Sequence, residues 1–383
     1  MRRSAAALAA SALGLCAQVP QVGGLLQVWA LQPLGPTLPI QGPGYYDPGN
    51  ATFQEGLLLR RAQVQVAGPV PGDLPLHYLV MADFALPTTG PNPANGNAPY
   101  NPSLLQDAWI EGLLGAGFHA RLGQFKNLQT WEGLVAPADL PFAERSQIGR
   151  RFADRRDRGL ALRWEGEAGG FGLQATVGIF NGTNDLAAGK ASDANGRRDG
   201  ALRVEATRPR HRLGFYGLRG GTDQRESGLQ AKAFPGPGAP DAASVRAAGD
   251  LTENLGAYYV YAGDAWHGEV EAITGRWGRR YPSLGPQPGP AGREILDQRF
   301  LGITATLAFT RGPRSWALRW DRLDGNPARA GATATEVTAG FTRRFGAADL
   351  RVNALHRFGA LGIGLDAPVR ASNALLLAFQ VAF

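Results

Sequence analysis

The last twelve residues of the chain, 372–383 (SNALLLAFQVAF), decide the fold class, because large apolar side chains recur there at every second position. Leu377, Phe379 and Val381 share one face of an extended strand, whereas Gln380 lies on the opposite face. A period of two indicates a β-strand whose two faces meet different surroundings. This segment predicts a strand with one face in an apolar environment.

The same alternation returns along the chain in segments of about ten residues, the length of a strand that crosses a membrane. An even number of such strands places both chain ends at one rim of a closed barrel. We predict sixteen strands, near residues 24–33, 53–68, 75–86, 103–115, 118–128, 156–167, 171–182, 199–208, 212–222, 252–263, 266–278, 297–311, 314–324, 334–346, 348–359 and 372–383.

The connections between these strands are alternately short and long. A membrane barrel has tight turns at one rim and extended loops at the other, whereas a soluble sandwich or propeller has no reason to sort its loops in this way. The sequence therefore predicts an all-β fold, a transmembrane antiparallel β-barrel of sixteen strands. The short connections are 69–74, 116–117, 168–170, 209–211, 264–265, 312–313 and 347, and the longer ones include 34–52, 87–102, 183–198, 223–251 and 279–296.

Composition argues against several other classes of protein. The mean hydropathy is −0.18, which is too polar for a bundle of membrane helices. The formal charge is +7, but the arginines are spread along the chain, and this spacing argues against nucleic-acid binding. The five histidines lie in no nucleophile motif and no His-Glu-x-x-His pair. We therefore predict that the protein is not an enzyme and holds no metal or cofactor.

The N-terminus has the pattern of a secretory signal peptide, which we assign to residues 1–17. Arg2 and Arg3 precede a short apolar stretch. Cleavage after Ala12, cleavage after Ala17 and lipidation at Cys16 all remain open. Residues 18–383 are then the barrel domain, exported to the outer membrane of a Gram-negative-type cell and surrounded by its lipid.

Residues 129–155 form the one long connection with little strand periodicity. Their end overlaps 150–158, where five arginines face two aspartates, a local net charge of +3. One interpretation is an exposed loop that is charged for solubility. We favour a third long loop that folds inward and narrows the pore, where fixed charges act more strongly than in bulk water. The arginines predicted to bind anions at this constriction are Arg145, Arg150, Arg151, Arg155, Arg156 and Arg158.

Several short motifs lie in the first half of the chain, at 60–62 (RRA), 82–84 (ADF), 105–108 (LQDA), 121–126 (RLGQFK), 139–142 (DLPF), 144–146 (ERS), 156–159 (RDRG) and 178–182 (GIFNG). Taken together they resemble the motifs of the phosphate-selective porins O and P. The resemblance covers residues 53–182 well and continues to Phe383 as a general barrel pattern. It implies a trimeric barrel that passes small anions such as phosphate or polyphosphate, and it adds Arg121 and Lys126 to the anion-binding set.

The strand alternation also predicts which charges face the lumen. Six arginines point inward by this rule, namely Arg61, Arg163, Arg203, Arg319, Arg351 and Arg357. Seven acids do the same, namely Asp107, Glu111, Glu165, Glu205, Glu269, Glu271 and Asp321. Since these charges nearly balance, any anion preference is expected to come from the constriction. A plugged structural or adhesive barrel without channel activity remains the alternative.

Overall fold

A computed structural model describes most of the barrel wall. The predicted signal peptide and Arg155 lie outside its described residues. Those residues are 19–34, 56–85, 104–152, 156–182, 198–221, 251–280, 296–324, 327, 333–360 and 368–383.

The described residues form sixteen strands, which confirms the predicted fold class, and the predicted strand ends agree with the observed ones to within four residues. In chain order the strands are β1 Gln21–Pro33, β2 Gly56–Pro69, β3 Leu76–Asp83, β4 Leu105–Gly115, β5 Phe118–Lys126, β6 Arg156–Ala168, β7 Phe171–Phe180, β8 Asp199–Arg208, β9 His211–Gly221, β10 Leu251–Ala262, β11 Trp266–Arg280, β12 Leu296–Arg311, β13 Arg314–Asp324, β14 Thr333–Phe345, β15 Ala348–Ala360 and β16 Pro368–Ala382.

The strands close into one antiparallel barrel in which each strand pairs with its neighbours in sequence. β1 completes the ring by pairing with β16, where Val28 lies opposite Phe379. Closure leaves no open sheet edge, so backbone N–H and C=O groups along the wall are paired. None of the helices in the described part of the chain is both long and apolar enough to span a membrane.

The two faces of the wall differ sharply in polarity. On β13, Leu318 is 56% exposed, whereas the adjacent Arg319 is only 1% exposed. The same contrast recurs on β16, where Phe379 is 47% exposed and Gln380 is 2% exposed. Exposed apolar side chains therefore cover the outside of the ring, and polar and charged side chains line its inside.

Candidate functional site

The chain between β5 and β6 departs from the strand pattern. Its described part, residues 127–152, is named the inner loop below. It contains helix α1 (Trp131–Leu134), a 3₁₀ turn (Pro137–Asp139) and helix α2 (Gln147–Phe152). Thr130 caps α1, because its hydroxyl accepts a hydrogen bond from the backbone N–H of Gly133 at 3.0 Å.

One half of the inner loop is held by arginines of β13 and β15. Arg351 donates hydrogen bonds to the carbonyl oxygens of Ala138, Leu140 and Phe142, at 2.6, 2.9 and 2.9 Å. Arg319 donates to the carbonyl oxygen of Glu144 at 2.9 Å. These donors satisfy carbonyl groups that the irregular backbone cannot pair with itself.

The beginning of the inner loop is held by β8 and β11. The backbone N–H of Trp131 donates to Glu271 at 2.8 Å, and its indole N–H donates to Glu269 at 3.0 Å. Arg203 donates to the carbonyl oxygens of Leu128 and Thr130 at 3.3 and 3.1 Å. Since these wall side chains lie on the inner face, the loop runs inside the ring of strands.

Two wall glycines receive apolar side chains of the inner loop. A Cβ atom at Gly302 on β12 would lie 2.3 Å from Cγ2 of Ile148. A Cβ atom at Gly340 on β14 would lie 2.8 Å from Cε1 of Phe142. Ile148 is 0% exposed and Phe142 is 1% exposed, so any larger wall residue would push the loop away from the wall.

Glu336 on β14 is the centre of a buried ionic network. Its carboxylate accepts hydrogen bonds from Arg150 of the inner loop at 3.0 Å and from Arg357 at 2.5 Å, and Arg319 approaches to 3.4 Å. The sequence-based set of inward charges omitted Glu336. The strand alternation contains the signal, because Ala334, Glu336 and Thr338 are all buried on one face of a predicted strand.

Arg145 stabilises the inner loop internally. Its guanidinium donates to the carbonyl oxygens of Glu132 and Val135, each at 2.9 Å. The carboxylate of Glu132 accepts from the backbone N–H of Ser146 at 2.7 Å. Burial raises the pKa of Glu132, and the neighbouring Arg319 opposes this shift without cancelling it.

A β-bulge on β2 directs the side chain of Arg60 towards the inner loop. The register of β1 and β2 shifts between Gln27 and Val28, so that Arg60 is the extra residue in the pairing. A bulge can redirect a side chain, and here Arg60 lies 3.1 Å from the carboxylate of Glu144. Burial alone raises the pKa of Glu144, but Arg60, Arg61 and Arg150 outweigh it and lower the pKa to about 2.

The basic residues predicted at the site differ in exposure, and most of the arginines form a buried group. Arg151 lies in α2 with its side chain outside the description, and Arg158 is partly exposed on β6. Lys126 donates to the carbonyl oxygen of Gly133 at 2.8 Å. The buried group is at most 7% exposed and comprises Arg61, Arg145, Arg150, Arg156, Arg203, Arg319, Arg351 and Arg357.

The second group lies on the wall formed by β4, β5 and β6. The side chains of Arg121 and Arg163 are 31% and 23% exposed, and they reach Glu111 at 2.7 and 2.8 Å. Arg163 also lies 2.9 Å from Glu165, which is two residues closer to the short-turn rim. Arg121 covers the Trp109 ring at 4.1 Å. These cations lie on the inner face of the wall and keep part of their surface exposed.

Among the residues that the structure describes, no cluster of three or more His, Cys, Asp or Glu side chains could hold a metal ion. His119 lies 3.9 Å from Glu111 and 3.8 Å from Glu165. The arrangement offers fixed charges and hydrogen-bond donors along an inner wall.

Comparison with known proteins supports the fold. The sequence matches no protein-family model and no curated protein. An anion-selective porin from Comamonas acidovorans has a similar structure, with a TM-score of 0.58 and 12% identity over 95% of this chain and 99% of that one. OmpF of Salmonella typhi in complex with daunomycin gives a TM-score of 0.56 with 10% identity, over 95% and 97% of the two chains. The trimer form of OmpT, an outer membrane protein of Vibrio cholerae, gives 0.52 with 13% identity, over 95% and 99%.

At these identities the likeness establishes a shared fold. The chain has the barrel architecture found in an anion-selective porin and in other outer-membrane proteins. The narrower resemblance to phosphate-selective porins stays a prediction.

Proposed function

We propose that the protein is an outer-membrane porin through which small hydrophilic solutes diffuse passively. The observation that carries this proposal is the closed wall, apolar outside and polar inside, with the inner loop held against only part of the inner wall. Such a wall is stable in lipid and encloses a path that water and ions can occupy. Its outer-membrane location follows from the barrel, because this architecture belongs to outer-membrane proteins.

We infer a preference for anions from the wall opposite the anchored inner loop. Two guanidinium groups, those of Arg121 and Arg163, share the carboxylate of Glu111, and Arg163 also pairs with Glu165, so this cluster of four has no net formal charge but presents guanidinium donors to the lumen. The exposed edge of the inner loop includes Leu134, which is 38% exposed. A solute between them meets guanidinium donors on one side and an apolar edge on the other, and an anion can accept from those donors where a cation cannot.

The buried arginines have a different role in this proposal. Arg145 and Arg351 use their donors on loop carbonyl groups, and Arg150 pairs with Glu336. They hold the constriction in place, and a passing anion meets Arg121 and Arg163 first. Phosphate and polyphosphate, which the family resemblance implies, are the anions to test first, and the same resemblance suggests a homotrimer.

Reversal potentials in a salt gradient across a planar bilayer test the proposal. We expect stepwise conductance and a preference for chloride over potassium, which decreases in Arg121→Gln/Arg163→Gln. The control is Arg210→Gln, which removes a rim cation paired with Asp264 at 2.6 Å. Phosphate should reduce the chloride current through the unmodified protein. An unchanged permeability ratio in the double variant would remove this wall from the mechanism.

The second candidate is a plugged structural or adhesive barrel. Dense burial of the inner loop favours it, because Leu140, Phe142, Ala143, Arg145 and Ile148 are each at most 4% exposed. A plugged barrel would insert into the bilayer without any conductance steps, and the same recordings therefore separate the two candidates.

A further inference from the structure

The outer face of β12, β13 and β14 carries three arginines in one cross-strand row at the short-turn rim. Arg311 pairs with Arg314 across the turn formed by Gly312 and Pro313, and Arg314 pairs with Arg343. All three residues are exposed. Directly opposite side chains in an antiparallel pair stand about 5 Å apart, so three like charges are held close together.

The row has no acidic partner among the residues that the structure describes. Other arginines at this rim do have one, since Arg210 lies 2.6 Å from Asp264 and Arg344 lies 3.6 Å from Asp349. Arg343 only covers the ring of Phe345 at 5.2 Å. Like charges in register destabilise a strand pair, and an anion from outside the chain would relieve that repulsion.

Aromatic side chains place this row at a defined depth. Phe309, Trp316 and Phe341 each lie two residues from one arginine on the same face, towards the middle of the strand. Their rings form a continuous row with Trp266, at centroid distances of 4.9, 6.1 and 5.8 Å. Aromatic rows of this kind mark the level where hydrocarbon meets lipid headgroups. The arginines lie just beyond that level, where headgroup phosphates are found.

Apolar residues continue the row on the next two strands. Leu350 on β15 pairs with Arg343, and Phe379 on β16 pairs with Leu350. Phe379 is 47% exposed. An amphipathic ligand would find cations and an apolar surface side by side.

We propose that Arg311, Arg314 and Arg343 bind the phosphodiester headgroup of an anionic phospholipid in the leaflet at the short-turn rim. Guanidinium groups donate paired hydrogen bonds to phosphate oxygens, and the acyl chains lie along the aromatic row. This inference rests on the membrane placement in the proposed function, but it does not require an open channel.

Native mass spectrometry of the detergent-solubilised protein titrated with dihexanoyl phosphatidylglycerol tests the site. We expect the dissociation constant to rise on the order of a hundredfold when all three charges are removed, since basic residues near an anionic headgroup contribute additively. The site variant is Arg311→Gln/Arg314→Gln/Arg343→Gln. The control removes the same charge from arginines that have acidic partners, in Arg210→Gln/Arg219→Gln/Arg276→Gln.

Further ligands and a smaller substitution make the test decisive. Arg314→Gln alone, at the centre of the row, should weaken binding about fivefold. This single substitution tests the site even if the triple variant does not fold. Dihexanoyl phosphatidylcholine should bind more weakly than the anionic lipid, and inorganic phosphate should not compete with it. Equal binding by the two lipids, competition by phosphate or an equal loss in the control would overturn the proposal. Bilayer conductance of the unmodified protein reports on the channel separately, so equal binding of the two lipids by a protein with normal conductance would refute this inference and leave the proposed function standing.

Discussion

The contact between Gly302 and Ile148 makes the position of the inner loop testable with two small substitutions. Gly302→Ala places a methyl group 2.3 Å from Cγ2 of Ile148, and also 3.1 Å from Ile273. Overpacking of this kind costs about 1–3 kcal/mol. Ile148→Ala removes most of a fully buried side chain and costs about 2–5 kcal/mol. If the two sites were independent, the double variant would lose the sum of both costs.

The structure predicts instead that the two substitutions compensate. With alanine in place of Ile148, the offending Cγ2 atom is absent and the new methyl group on Gly302→Ala fills part of the vacated space. The double variant should therefore recover about 1–3 kcal/mol relative to additivity, which is typical of residues in contact. Urea unfolding of the refolded protein in detergent measures this coupling.

Single-channel conductance provides a second readout of the same contact. Gly302→Ala should shift α2 away from β12 and lower the conductance, and Ile148→Ala should restore it. Gly268→Ala is the matched control, because its added Cβ would meet only the carbonyl oxygen of Thr306, at 4.0 Å. Additive free energies, with no recovery of conductance, would refute the proposed packing of the loop against this wall.

Two further perturbations probe the polar anchors of the inner loop. Glu336→Gln removes the negative charge shared by three buried arginines and replaces one acceptor oxygen with a donor, and it should cost about 3–5 kcal/mol in urea unfolding, whereas Glu253→Gln at an exposed pair should cost less than about 1 kcal/mol; equal losses would contradict the buried network. The pKa of Glu144 is lowered from 4.5 to about 2, so its anchoring free energy is complete above pH 4.5 and is lost as the pH falls towards 2. Conductance should become noisier across that window, and Glu144→Gln should remove this pH dependence; an identical acid response in the variant would rule out Glu144 as its source.

The sequence was sufficient for the wall because strand period and turn length are local properties. Each predicted strand is present in the structure. An amphipathic segment such as 372–383 has one apolar and one polar face, and only one orientation in the wall matches each face to its surroundings. The row of Arg311, Arg314 and Arg343 could not be predicted from local sequence patterns. Their alignment depends on the register across two turns, although each arginine is plainly visible near a turn in the sequence.

The candidate site was harder to predict because its contacts join residues far apart in the chain. Asn353 accepts a hydrogen bond from the backbone N–H of Ala143, 210 positions away. Strand alternation can place Asn353 on the inner face, but it cannot show which part of the inner loop arrives there. The contact between Arg60 and Glu144 was equally hard to predict, because it depends on the bulge in the pairing of β1 and β2.

Backbone carbonyl groups explain why so many inward arginines are unavailable to a solute. An irregular segment inside a barrel leaves carbonyl oxygens that no strand can pair, and a guanidinium group offers five donors in a fixed geometry. Arg351 alone serves three carbonyl groups of the inner loop, and Arg203 and Arg145 each serve two more. Many of the inward arginines therefore hold the inner loop in place. The number of inward arginines is a poor measure of anion selectivity, whereas their exposure separates the buried arginines from the partly exposed ones, such as Arg121 and Arg163, that a passing ion can reach.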